Sequence, residues 1–192
     1  IRQLAGVLAH ELGHFSQGGG MLLGYMIRRI NQWFARAAYE RDQWDLSLEY
    51  NARRIRFPFN LVFQATRLCV WMTRRVFWVL MRLGNVFSSF LGRQMEFDAD
   101  GYESRVAGSE EFERTIIQIH LLDFAAQKAR NDLNQVMDEK RLGDDLPALI
   151  AANLEAMPPE IKQEYTARLL REKAGLFDTH PAPAVRISHT LK

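Results

Sequence analysis

The stretch RQLAGVLAHELGHF, residues 2–15, decides how the chain is organised. Its first half is apolar, as in a buried helix, and its second half places His10 and His14 four positions apart. Because four residues bring an α-helix back to nearly the same face, both imidazoles can point at one metal ion, with Glu11 beside them. Two histidine ligands and a nearby carboxylate that takes a proton from water are what a zinc hydrolase needs. The competing interpretation is an inert pair of histidines, but histidine and glutamate are both uncommon inside apolar helices.

A second motif, RQMEFDAD, occupies residues 93–100. Glu96 and Asp100 are four positions apart and share a helix face, where two like charges repel unless a cation or a donor lies between them. A metal already held by two histidines would provide that cation, with Glu96 as third ligand and Asp100 holding a ligand imidazole. By itself the motif could equally be a solvated acidic face. Beside His10 and His14 it favours a zinc site, because catalytic zinc usually has three protein ligands.

Composition indicates a globular or membrane-associated protein rather than a disordered one, since 47% of the 192 residues are hydrophobic. The length suits one domain over residues 1–192. The single cysteine, Cys69, excludes an internal disulfide, and its apolar neighbours predict a buried structural thiol. Charge is uneven: residues 1–93 hold 13 Arg and 5 acidic residues, whereas residues 94–192 hold 12 basic and 18 acidic residues. The first half is therefore a candidate for an anionic surface.

Apolar periodicity predicts an all-α chain. We expect helices over about 2–15, 21–48, 59–83, 86–106, 109–141, 148–156 and 159–173, with breaks at Gly18-Gly19-Gly20 and at Gly84-Asn85. Residues 144–175 are interpreted as a helical insertion without chemistry of its own. His120, inside the fifth helix, is expected to be a packing histidine, and His189 a surface one.

The segment 59–83 carries arginines, including Arg67, Arg74 and Arg82, among apolar and aromatic residues. Its uncharged runs are shorter than the roughly 18 residues of a spanning helix. An arginine stripe opposite an apolar face is typical of a helix lying in a membrane interface, but an ordinary core helix with solvated or paired arginines remains open. No recognised nucleic-acid-binding fold accompanies the basic residues, so we expect no nucleic acid partner.

The third motif is Thr179-His180-Pro181, with Arg186 six residues after the histidine. Together, in this order, the three motifs resemble the HtpX and type I CAAX prenyl protease family of membrane-associated zinc metallopeptidases. The resemblance implies one zinc ion per chain bound by the metal ligands His10, His14 and Glu96. It implies that Glu11 is the general base, that Asp100 orients a ligand histidine, that His180 donates to the oxyanion, and that Arg186 supports that end of the site.

The resemblance also implies a mainly helical zincin-type domain in a larger setting. Members normally have membrane spans and a small β-structure before the first motif. Because this chain opens at Ile1, we expect it to be a fragment whose β-structure and any spans lie upstream. We expect a membrane of the bacterial inner type, and the arginine bias and the lone cysteine favour a catalytic domain that faces the cytoplasm.

Three functions follow as hypotheses. The first is a zinc endopeptidase that cleaves membrane or membrane-proximal proteins with a zinc-activated water and Glu11 as general base. The second is a non-catalytic module that keeps a structural zinc and binds an anionic membrane surface through residues 59–83. The third and weaker one is a zinc hydrolase that acts on a non-peptide bond. The intact Glu11 favours the first, because a structural zinc site has no need of it.

Overall fold

A computed structural model describes residues 1–41, 43–54, 60–138, 140 and 143–191. Within these ranges the chain is helical and contains no strand, which confirms the all-α prediction. The helices are α1 (Arg2–Ser16), α2 (Gly18–Tyr39), α3 (Gln43–Arg54), α4 (Asn60–Ala107), α5 (Ser109–Asp138), α6 (Leu146–Glu155), α7 (Pro159–Leu169) and α8 (Pro183–Thr190). The expected ends at Phe59 and Arg141 lie outside the described residues.

The expected helix boundaries at both ends of α2 were wrong. The triple glycine begins α2 instead of separating two helices by a loop, and the break lies at Gln17 alone. The expected helix over 21–48 is two helices, since α2 ends at Tyr39 and α3 begins at Gln43. Intrinsic propensity is a weak prior that tertiary contacts override, so glycine alone did not decide either boundary.

The expected break at Gly84-Asn85 is absent, and α4 runs through it as one helix of 48 residues. Gly84 lies against the side chain of Asn31 on α2, which donates a hydrogen bond of 2.9 Å from Nδ2 to Oδ1 of Asn85. A Cβ at position 84 would collide with the Asn31 amide. The glycine is therefore a packing contact rather than a helix terminator.

The described residues form two compact units. Unit 1 comprises Ile1–Gln17, Gln94–Gly175 and His180–Lys192, and unit 2 comprises Gly18–Arg93 and Leu176–Thr179. That residues 1–192 act as one domain remains a prediction.

Unit 1 is built around α5, against which α1, α6, α7 and α8 pack. Its core includes Phe112 and Ile116 of α5 and Ile187 of α8. Further along α5, Asp132 accepts a hydrogen bond of 2.9 Å from the Asn153 side chain of α6. The expected insertion is helical at α6 and α7, although α7 ends at Leu169 rather than near residue 173.

Unit 2 contains α2, α3 and the first part of α4. Trp33, Phe34 and Phe77 form an aromatic cluster with ring centroids 5.3–5.8 Å apart. Arg74 turns towards α3 and pairs with Asp45, so it does not belong to an exposed arginine stripe. Arg82 lies over the rings of Trp78 and Phe177.

Many apolar side chains of unit 2 are exposed. On α4 they follow one another at helical spacing: Leu61, Leu68, Met72, Val76, Val79, Leu83, Phe87 and Phe90. Cys69 is also exposed, so the expectation of a buried thiol was wrong, because its apolar neighbours are themselves on the surface. Among the described helices, none is both long enough and apolar enough to cross a membrane.

Candidate metal centre

Helix α1 brings His10, Glu11 and His14 to the site by packing closely against the end of α4. Gly6 and Gly13 are the contact points: a Cβ at Gly13 would lie 2.8 Å from the Tyr102 ring, and one at Gly6 would lie 3.0 Å from the Cβ of Ala107. Such an approach places the intervening His10 against α4, where it is 9% exposed. Glu11 lies on the neighbouring face and is exposed.

The three predicted metal ligands meet at one point. His10 Nε2 is 3.7 Å from Glu96 Oε2, and His14 Nε2 is 3.9 Å from Glu96 Oε1. One donor atom from each of the three residues lies within 4.8 Å of the others. Ligands bonded at about 2.0–2.1 Å to a tetrahedral zinc ion lie about 3.3 Å apart. The donor set and its separations therefore fit zinc, with small adjustments of the side chains.

Each of the two predicted ligand histidines has a contact at its Nδ1, so that Nε2 would be left for a metal. His14 Nδ1 is 3.2 Å from Oε1 of Gln17, whose Nε2 donates to the Met95 carbonyl oxygen over 2.7 Å. Sequence reasoning missed Gln17, although its spacing of three from His14 places it on the adjacent helix turn. Such contacts orient ligand imidazoles and fix their tautomers.

Asp100 is the partner of His10. Its side chain is fully buried, with Oδ1 3.2 Å from His10 Nδ1, although this contact lacks the alignment of a regular hydrogen bond. Arg186 of α8 donates to both Asp100 oxygens, from Nε over 2.9 Å and from Nη2 over 2.5 Å. Burial tends to raise the pKa of Asp100, but the hydrogen bonds from Arg186 and the contact with His10 outweigh it and hold that pKa below its usual value.

The same contacts act on the two cationic groups. Burial tends to lower the pKa of His10, but the contact with Asp100 and the negative charges of Asp100 and Glu96 raise it overall. Burial likewise opposes the charge of Arg186, and Asp100 with Glu96 raises its pKa above the ordinary value. Arg186 is thus a permanent cation that contacts carboxylates, with Nη2 also 3.6 Å from Glu96 Oε2.

Glu103 is a buried carboxylate of the site that sequence reasoning missed. Its Oε2 is 3.5 Å from His10 Nδ1, and its Oε1 is buried without a hydrogen-bond partner. Burial raises the pKa of Glu103. The sequence could have predicted that Glu103 faces the site, because Glu96, Asp100 and Glu103 follow the i, i+4, i+7 spacing of one helix face.

His180 reaches the site from the segment before α8. Its Nδ1 is 3.1 Å from Glu96 Oε1, and its side chain is 71% exposed. Pro181 and Pro183 keep this segment extended until α8 begins at Pro183. The structure therefore brings together every residue that the three motifs singled out: His10, Glu11, His14, Glu96, Asp100, His180 and Arg186.

A cleft of about 410 Å³ opens over these residues. Beside the motif residues it is lined by Val7, Glu103, Thr115, Ile116, Ile119 and His120. His120, expected to be a packing histidine, thus lies on the cleft wall, where burial lowers its pKa. The α5 wall of the cleft includes the apolar side chains of Ile116 and Ile119.

Comparison with known proteins agrees with this geometry. A search of curated proteins and a search of solved structures each found no significant match. The family model described as Peptidase family M48, whose members are zinc metallopeptidases, matches residues 1–192. The chain, with its three motifs converging on one cleft, belongs to peptidase family M48, consistent with the HtpX and CAAX protease type.

Proposed function

We propose that the protein is a zinc-dependent endopeptidase that hydrolyses peptide bonds of membrane or membrane-proximal proteins. One observation carries the proposal: in a chain of family M48, His10, His14 and Glu96 converge within 4.8 Å at a cleft that Glu11 also lines. Zinc in such a site supplies Lewis acidity, polarising a carbonyl and making water acidic near neutral pH.

The residues of the chain would then perform the proton transfers. Glu11 is exposed in the cleft and carries a carboxylate next to the ligand pair. It would take one proton from the attacking water and return it to the leaving amine, so that the peptide bond is replaced by a carboxyl and an amine. Glu11 is thus a general base and then a general acid.

His180 and Arg186 would act at different points of the site. His180 is exposed at the mouth of the cleft and would donate a hydrogen bond to the developing oxyanion. Arg186 is engaged by Asp100 and Glu96 and would position these carboxylates rather than contact the substrate. Asp100 would in turn hold the His10 imidazole.

The test compares Glu11→Gln with a matched control. Glu11→Gln keeps the shape of the side chain but removes the base, so peptide cleavage should fall by about 10²–10⁴-fold while the zinc content stays near one ion per chain. Glu164→Gln, which removes one exposed carboxylate on α7, should change neither quantity. Full cleavage by a zinc-loaded Glu11→Gln protein would reject the mechanism.

We propose further that the protein works at an anionic membrane surface, with unit 2 in contact with it. The exposed apolar residues of α4 and the excess of arginine over acidic residues in 1–93 support this. A catalytic domain that faces the cytoplasm of a bacterial inner membrane remains a prediction. If the protein lacked peptidase activity, the same surface would fit the alternative function, a non-catalytic membrane-binding module that keeps a structural zinc.

Vesicle binding tests the surface. Binding to vesicles with about 30% anionic lipid should weaken as salt rises, because exposed charges are screened. Val76→Glu, in the exposed apolar row, should weaken binding more than Thr73→Glu, which adds the same charge at an exposed polar position outside the row on the same helix. Equal effects of both substitutions would contradict contact through the apolar row. Cleavage of any peptide by the wild-type protein would exclude the non-catalytic alternative.

A further inference from the structure

Glu103 is a buried side chain to which the proposed mechanism gives no role. Its carboxyl is 4% exposed, and one oxygen, Oε1, has no hydrogen-bond partner. Burying a polar oxygen without a partner costs free energy, so stability alone does not account for it. The other oxygen, Oε2, lies 3.5 Å from Nδ1 of His10.

Asp100, the closest partner of His10, is shared with Arg186. Both of its oxygens accept hydrogen bonds from the Arg186 guanidinium, at 2.9 and 2.5 Å, and its 3.2 Å contact with His10 Nδ1 is poorly aligned. A carboxylate that shares its lone pairs with a guanidinium is a weaker acceptor for a third group. His10 Nδ1 makes a regular hydrogen bond with neither carboxylate, and Glu103 Oε2, at 3.5 Å, is the second acceptor that faces this nitrogen.

Gly6 makes space for this arrangement. A Cβ at position 6 would lie 3.2 Å from Cγ and 3.3 Å from Oε1 of Glu103, closer than most side chains tolerate. Helix α1 thus has a glycine one turn before His10, at the position that contacts the Glu103 side chain. The absence of a side chain at position 6 and the presence of the buried carboxyl at position 103 belong to one local arrangement.

We propose that Glu103 is a positioning residue for the metal centre, a second acceptor that holds the Nδ1–H of His10 and so aims Nε2 at the metal. The inference rests on the proposed zinc site. A second metal ion held by His10, Asp100 and Glu103 is the competing interpretation, since these three could also group around a cation. The guanidinium of Arg186 on Asp100 opposes it, because a cation already fills that position.

The experiment measures zinc affinity by competition with a chelator and, separately, the thermal stability of the metal-free protein. Glu103→Met keeps an unbranched side chain of similar length but removes both oxygens. Zinc affinity should fall by about 10–100-fold, as is typical when the partner of a ligand histidine is lost. The melting temperature of the metal-free protein should stay unchanged or rise, because a buried unpartnered oxygen has been removed.

Two further variants make the result specific. Glu103→Gln retains one carbonyl acceptor and should give an intermediate zinc affinity. Asp98→Asn removes one negative charge from the exposed face of the same helix and should leave zinc affinity within about twofold of wild type. Gly6→Ala, which crowds Glu103 without touching any ligand, should weaken zinc binding in the same direction as Glu103→Met.

Several outcomes would overturn the inference. It would be refuted if Glu103→Met bound zinc within twofold of wild type, or if Asp98→Asn lost as much zinc affinity as Glu103→Met. It would also be refuted if the wild-type chain bound two zinc ions. A joint fall of melting temperature and affinity in Glu103→Met, with Gly6→Ala folded and binding zinc normally, would show a structural role instead. Failure of wild type to bind zinc would refute the proposed function and this inference together, whereas a zinc-loaded, active wild type with an unaffected Glu103→Met refutes the inference alone.

Discussion

Removal of the Arg186 side chain should destabilise the protein more than the loss of an exposed ion pair does. Asp100 is fully buried and both of its oxygens are bonded to Arg186, so Arg186→Ala leaves a buried carboxylate with only the His10 contact. Breaking one side of a buried pair costs about 3–5 kcal/mol. For a chain of this size that corresponds to a fall of about 6–20 °C in melting temperature.

The matched control is Arg114→Ala on α5. Arg114 contacts Glu110 and Glu111, but its side chain is 62% exposed, and exposed pairs contribute about 0–1 kcal/mol. Chemical unfolding of the metal-free proteins measures both changes. If Arg186→Ala loses less than about 1 kcal/mol, or no more than Arg114→Ala, the argument from buried charge is refuted.

A second substitution and the pH dependence separate charge from packing. Asp100→Asn in the Arg186→Ala background should recover part of the lost stability, because it removes the unpaired charge. Arg186 lowers the folded-state pKa of Asp100, so this stabilisation is complete above the unfolded value of about 4 and is lost as pH falls through the lower folded value. The difference in the free energy of unfolding between wild type and Arg186→Ala should therefore become smaller below about pH 4. An unchanged difference there would indicate lost packing only.

Three further changes test other parts of the structure. As pH is lowered, zinc affinity should begin to fall above pH 6.5, because the pKa of His10 is raised and only the neutral imidazole binds metal. Chelator competition across pH 5–8 measures this affinity. A loss of affinity confined to lower pH would contradict the prediction. His180→Gln should lower the rate of peptide cleavage by about 10²–10³-fold with zinc content unchanged, and a loss of zinc would instead make His180 part of the binding site. Gly84→Ala should destabilise the protein by about 1–3 kcal/mol, because the new methyl group collides with Asn31. Gly101→Ala on the same helix, where nothing lies within 4 Å, should stabilise it by about 0.5–1 kcal/mol. Unfolding curves that rank the two variants the other way would refute the packing role of Gly84.

Local periodicity accounts for the part of the site that was predictable. His10 and His14 share a face because the helix repeats every 3.6 residues, and the same rule pairs Glu96 with Asp100. These relations hold within single helices and need no knowledge of how the helices pack. The convergence of the two motifs and of His180 was expected from chemistry and from the family resemblance, and the distances agree with it.

Packing between helices decided the rest. Glycine is a helix breaker by propensity, but at Gly84 the approach of Asn31 outweighs that preference and α4 continues. His120 is an ordinary core position by periodicity, and it lines the cleft only because α5 forms one of its walls. Such contacts join residues far apart in the chain, which no local pattern reveals.

The sequence alone therefore determined the helical fold and the common face of His10 and His14 on α1, because both follow from residue spacing along a helix. It also predicted Glu96 as a third metal ligand, from the donor chemistry of its carboxylate. Only the tertiary structure decided that Arg186 is hydrogen-bonded to Asp100, and that Glu103 lies between Gly6 and His10. The physical reason is that a buried charge takes the nearest compensating partner, and which partner is nearest depends on how α1, α4 and α8 pack.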